Sequence, residues 1–216
     1  MQNKTNQPVG WLINELKDPF VYFPIQSVGK SLNDLIEKVS DEFSARQGPY
    51  GVSRKYWDVP SELMHEEIGL LLGAAFVLGQ ATLTQSLSIV NKLRMLRGTL
   101  VRIPEGKQAL LSYGADVHVK TGLSHIEIID LAANYFKHHH EWPDDWNIYN
   151  ATRLQSKTID NCKRLGMMPG DITDNLHKAL CAIGAHSSDV EQIQQSIEIW
   201  REHLASNLYA MLRNPD

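Results

Sequence analysis

Asp130, Asn134, Lys137, His138 and Glu141 recur at steps of three and four, the spacing that gathers side chains on one face of a helix. An amide, an ammonium, an imidazole and two carboxylates on one face can orient a substrate, stabilise negative charge and move protons, because imidazole titrates near neutral pH. The same stripe also suits a helix face turned to water. Asparagine and histidine are unusual choices for that role, which glutamate and lysine fill with better helix propensity. The triplet His138, His139 and His140 has a second reading too, as positive charge at the C-terminal end of a helix dipole.

Other chemistries are less well supplied. His138 and Glu141, with Asp144 and Asp145 after them, make half a metal site, since helical sites draw ligand pairs from two or more helices. His65 and Glu66 offer a complement to it, but HEEIG lacks the second histidine of H-E-x-x-H. No metal and no other cofactor is expected. Cys162 and Cys181, the two cysteines of the chain, form neither a disulfide framework nor a zinc set, and no G-x-S-x-G turn or glycine-rich phosphate loop is present. Arg153, Lys157, Lys163 and Arg164 lie along one stretch interrupted by Asp160, and suit either phosphate contacts or a solvated charged face.

The elements that must position these residues are helical. Ser124 and Glu127 form an S-x-x-E capping box, Leu123 and Ile128 can staple it, and Pro143 stops the helix that begins there, over about 123–141. Residues 32–45 carry Leu32, Leu35, Ile36, Val39 and Phe43 at helical steps. From Pro60 to about Leu96 runs the longest helix, in which Gly69, Gly73 and Gly79 each cost about 1 kcal/mol against alanine and so imply closely approaching neighbours. Its apolar run, Ile68 to Gly79, falls short of the roughly 20 residues of a bilayer crossing, so a buried helix and no membrane association are expected. Further helices are read at 151–165, 173–183 and 190–212, the last behind Ser188 and Glu191 as a second capping box. TLVRI (99–103) and DVHVK (116–120) read as short strands or extended linkers.

The fold class is therefore all-α, a bundle of six or seven helices over residues 31–216 preceded by an extended, aromatic-rich N-terminal arm over 1–30. A net charge of −4 excludes a protein that coats nucleic acid by bulk electrostatics and leaves room for a local basic patch. MQNKTNQPVGWL lacks the basic and apolar regions of a signal peptide, and a cytoplasmic protein is expected.

A long helix followed by one carrying Asn134-Tyr-Phe-Lys-His138 resembles the HEPN domains, helical bundles of many prokaryotic toxin and defence proteins. The resemblance spans roughly residues 60–165. It implies metal-independent action on RNA, often as a homodimer, with Asn134 matching the asparagine and His138 the histidine of R-N-x-x-x-H, while Ala133 stands where that family has arginine. Under that resemblance His138 is the general acid or base, Asn134 orients it or the phosphate, Lys137 stabilises charge, and Arg153, Lys157 and Arg164 contact nucleic acid. RNA binding or cleavage in a stress or defence setting is one implied function. The other is a non-catalytic interaction module, an adaptor, antitoxin or immunity-type protein, using the aromatic N-terminal arm and the Trp200 helix to hold a protein partner.

Overall fold

Three glycines on one helix decide how closely its neighbours pack. The computed structural model describes residues 7–18, 23–47, 59–97, 103–146, 153–185 and 189–213, which contain eight α-helices and no strand. They are α1 (Gln7–Lys17), α2 (Phe23–Gln47), α3 (Val59–Arg97), α4 (Lys107–Ser112), α5 (His125–His138), α6 (Arg153–Arg164), α7 (Ile172–Ala182) and α8 (Glu191–Arg213). Helix α3 is the axis, and α1, α2, α5, α7 and α8 all pack on it. A Cβ at Gly69 would run into Thr173 of α7, and one at Gly73 into the ring of Phe136 of α5. At Gly79 it would come within 2.7 Å of Ile193 of α8. The glycines thus exchange helix propensity for backbone approach, and Leu72, Phe76 and Leu83 fill the core beside them.

By length and composition α3 could also cross a membrane, and half of its most apolar window is buried by the other helices.

The N-terminal segment differs from the expected extended arm. Val9, Ile13 and Leu16 stand at i, i+4 and i+7, a stripe that α1 buries against α3 and α8. Pro8 and Pro24 do not prevent helix formation, because each stands in a first turn, where no intrahelical amide donor is required. Arg201 of α8 fastens α1 by donating to the Glu15 carbonyl at 2.9 Å.

The capping box of α5 is present in both directions: Ser124 Oγ accepts from the Glu127 amide at 3.0 Å, and Glu127 Oε2 accepts from the Ser124 amide at 2.9 Å. Leu123 and Ile128 are buried beside it. The α-helix ends at His138, and a single 3₁₀ turn carries His139–Glu141. DVHVK forms no strand. Gly122, in the left-handed region, folds the chain back so that Val117 pairs only with Ser124 as an isolated bridge. Residues 99–102 and Ser188 lie outside the described residues. At the start of α8 it is Asp189 that accepts from the Glu191 amide, at 2.9 Å. Val190, Ile193, Ile197, Trp200, Leu204 and Leu208 are all buried, so this helix closes the bundle. Trp200 is wholly buried and donates to the Tyr113 carbonyl at 3.1 Å, which removes it from any contact surface.

If Gly73 is kept small by Phe136, Gly73→Ala should destabilise the protein by about 1–3 kcal/mol. In a Phe136→Ala background the same change should stabilise by up to about 1 kcal/mol, the ordinary helix preference. Urea unfolding of the four proteins checks this; equal costs in both backgrounds would show that Phe136 is not the obstacle.

Candidate functional site

The polar face of α5 meets a glutamine that α3 presents from its apolar middle. Gln80, 9% exposed, lies between helices where an unpaired amide is costly, and its partners are all on α5. Its Nε2 donates to Asp130 Oδ1 at 2.7 Å and to Asn134 Oδ1 at 3.0 Å, while its Oε1 accepts from Lys137 Nζ at 2.6 Å. The ammonium sets the amide orientation, because the flipped form would face two donors against each other. Asp130, 7% exposed, also accepts from Lys107 Nζ at 2.7 Å and from Asn134 Nδ2 at 3.3 Å. The carboxylate is thereby paired with an ammonium and hydrogen-bonded, as burial of such a group requires.

Two expected catalytic residues, Asn134 and Lys137, therefore meet through Gln80. Asn134 spends its amide on Asp130 and Gln80, so it positions Gln80 and, through Gln80, Lys137. His138 lies on another side of the helix end. Its Nδ1 stands 3.0 Å from Glu141 Oε1, with both side chains about half exposed. The hydrogen bond from His138, with the nearby imidazoles, holds the Glu141 carboxyl below its ordinary range. His139 turns inward, with Nδ1 2.9 Å from the Phe136 carbonyl and its ring against Tyr135. Trp142 and Trp146 pack on that same tyrosine and anchor the chain after the turn.

Ala133, at the position where the HEPN motif carries arginine, is 0% exposed. Position 133 points into the core while His138 is half exposed, so the two positions face different surroundings.

Of the residues expected to contact nucleic acid, Lys157 lines a cavity of about 170 Å³ between α4, α5 and α6, together with Lys107, Asp130, Asn134, Thr158 and Asn161. This cavity joins the asparagine of α5 to a lysine of α6. Arg164 instead bonds the Thr121 carbonyl and Asn161 Oδ1, and so braces the loop before α5. The side chain of Arg153 lies outside the described residues. Gln80 and Lys107 escaped the sequence reading. The signal for Gln80 was a long amide directly after the run Ile68 to Gly79, whereas nothing local marked Lys107, which reaches Asp130 only through the tertiary fold.

His65 groups with Asp171 and Asp174 and not with His138 and Glu141. Cys162 is buried, and desolvation pushes its thiol up to about 12, which leaves no thiolate for nucleophilic attack. Cys181 is exposed, with Sγ 3.6 Å from His177 Nδ1, an i,i+4 pair that the sequence reading passed over.

Compared with protein-family models, curated proteins and solved structures, the chain matches none.

Gln80→Leu would leave Lys137 and Asn134 without this partner, and the expected loss is about 1–3 kcal/mol in urea unfolding; an unchanged midpoint would mean that the bridge contributes nothing. In a separate NMR titration, the Glu141 carboxyl should protonate at lower pH than an ordinary glutamate. His138→Ala should move that titration upward, and identical curves would remove the dyad.

Proposed function

We propose that this chain is a HEPN-like helical protein that binds RNA in the cleft between α4, α5 and α6 and does not cut it. The observation that carries the reading is the meeting of Lys107, Lys157 and Asn161 around one polar cavity whose wall Asn134 completes, with the Lys107 ammonium already oriented by Asp130. Ammonium and amide groups in a concave site can grip a phosphate and a ribose hydroxyl together. The two carboxylates of the lining, Glu127 and Asp130, are engaged in the capping box and in the Gln80 network, so they impose less repulsion than free acids would. Lys137 and His138 extend the surface toward the end of α5.

Binding without cleavage follows from the buried Ala133. Cleavage needs a proton-transfer group beside a cation that stabilises the phosphorane charge. Here the imidazole is paired with Glu141, and the neighbouring Lys137 is held by Gln80. The setting implied by the resemblance is prokaryotic stress response or defence. A second reading, a module that binds a protein partner or a second copy of itself, is favoured by Trp11, which α1 holds 73% exposed.

Fluorescence anisotropy with a labelled single-stranded RNA and a tRNA pool tests the proposal. Wild type should bind, and Lys107→Ala and Lys157→Ala should each weaken binding about tenfold, the equivalent of one charge-assisted hydrogen bond. Two phosphate contacts should give a shallow salt dependence, a log–log slope of roughly −1.4 for a single strand. RNA should stay intact with or without EDTA, in wild type and His138→Ala alike. Absence of binding defeats the proposal, and cleavage that His138→Ala abolishes replaces it with a nuclease.

A further inference from the structure

A cavity of about 460 Å³ opens between the N-terminal part of α3 and the start of α7. Its lining includes Glu62, His65 and Glu66 from α3 and Asp171 from the turn before α7. His65, Asp171 and Asp174 each offer a ligand atom, and these three atoms lie within 4.8 Å of one another.

An ordinary structural account covers part of this. Asp171 is the N-cap of α7 and accepts from the Asp174 amide at 2.9 Å, and acids are common in a first helical turn. It does not cover the imidazole or the pairing of positions. Glu62 and His65 form a Glu-x-x-His pair at i, i+3 on α3, and Asp171 and Asp174 form a second i, i+3 pair at α7. Helical bundles build metal sites from inward-facing carboxylates and Glu-x-x-His pairs on several helices, and Glu62 and His65 have that spacing. His65 Nε2 stands 3.4 Å from Asp171 Oδ1. That is long for a hydrogen bond between these groups, and it matches the roughly 3.3–3.4 Å between two ligands of a tetrahedral ion with bonds near 2.0–2.1 Å.

Helix packing braces the frame around the ligands. Thr173 Oγ1 donates to the His65 carbonyl at 2.7 Å, and the missing side chain of Gly69 lets Thr173 sit against α3. The His65 ring also packs near Phe43, with centroids 6.0 Å apart. Helix docking thus presets the two ligand pairs face to face, which lowers the ordering cost of coordination.

We propose that His65, Asp171 and Asp174, with Glu62 closing over the cavity, bind one divalent first-row transition-metal ion of the Zn²⁺ or Mn²⁺ type. The single imidazole selects such ions over Mg²⁺ and Ca²⁺, which prefer all-oxygen sites, and the absence of thiolate from the set excludes a soft-metal site. This site is independent of the RNA cleft, and it reverses the expectation from sequence that no metal is bound.

The test is titration of the full chain, without an affinity tag and stripped of metal, with Zn²⁺ and Mn²⁺ by calorimetry and with Co²⁺ by visible absorption. The triplet His138–His140, of which His138 and His140 are exposed, is the competing binder, so a variant carrying His138→Ala, His139→Ala and His140→Ala is titrated in parallel. One ion should bind per chain in both proteins, with Mg²⁺ and Ca²⁺ unable to displace it at equal concentration. His65→Ala should weaken binding by at least about 100-fold, beyond the loss caused by removing an outer partner of a metal ligand. Should His65→Ala misfold by circular dichroism, Glu62→Gln and Asp174→Asn, at exposed side chains, must each weaken binding instead. Binding that disappears with the histidine triplet, or that survives intact in the folded cavity variants, overturns the proposal, as does failure of wild type to bind any of the three ions.

Discussion

Close approach to one face of α3 is the constraint on which the remaining structure depends. Gly69 admits Thr173, Gly73 admits the ring of Phe136, and Gly79 admits Ile193, so α7, α5 and α8 each reach the axial helix at a point where a side chain would hold them away. Dispersion between packed atoms falls off over less than an ångström, so this approach sets both the density of the core and the reach of the polar groups beside it. Gln80 follows Gly79 directly, and its amide reaches Asp130, Asn134 and Lys137 because α5 is already drawn in. His65, four residues before Gly69, faces Asp171 because Thr173 is seated at that glycine.

Buried polarity is handled differently at the two ends of this axis. Around Gln80 each group meets a complement: ammonium to amide oxygen, amide hydrogens to carboxylate and carbonyl, carboxylate to a second ammonium. A network satisfied in this way holds a unique register between α3 and α5, since a slip of either helix would leave several groups unpaired at once. Around His65 the acids stand at a helix start with an imidazole opposite and open volume between them. The first arrangement positions side chains, and the second leaves room for a guest.

Much of the architecture could be read from local pattern. The capping box at Ser124 and Glu127, the breaker Pro143, the glycine-bearing long helix and the apolar stripe of α8 each rest on interactions within about one turn, and each is present. The N-terminal segment was harder, because Pro8, Pro19 and Pro24 suggest extended chain until one sees that Val9, Ile13 and Leu16 have α3 and α8 to bury against. Local spacing places the polar stripe of α5 on one face, suited either to chemistry or to water. Packing divided it: Asp130 and Asn134 turned toward α3, Lys137 pinned at its edge, His138 left in water with Glu141.

The sequence alone determined that the chain is helical, where its best-capped helix begins, that the long helix must have near neighbours, and which residue types α5 carries. These follow from hydrogen bonds and steric preferences that act over three or four residues. Only the tertiary structure decided that Gln80 is the partner of α5, that Lys107 and Lys157 share a cavity with Asn134, that Ala133 faces the core, and that His65 stands opposite Asp171. Those residues are separated by tens of positions along the chain. Their meeting depends on the rotation and depth of each helix against α3, which local periodicity leaves undetermined.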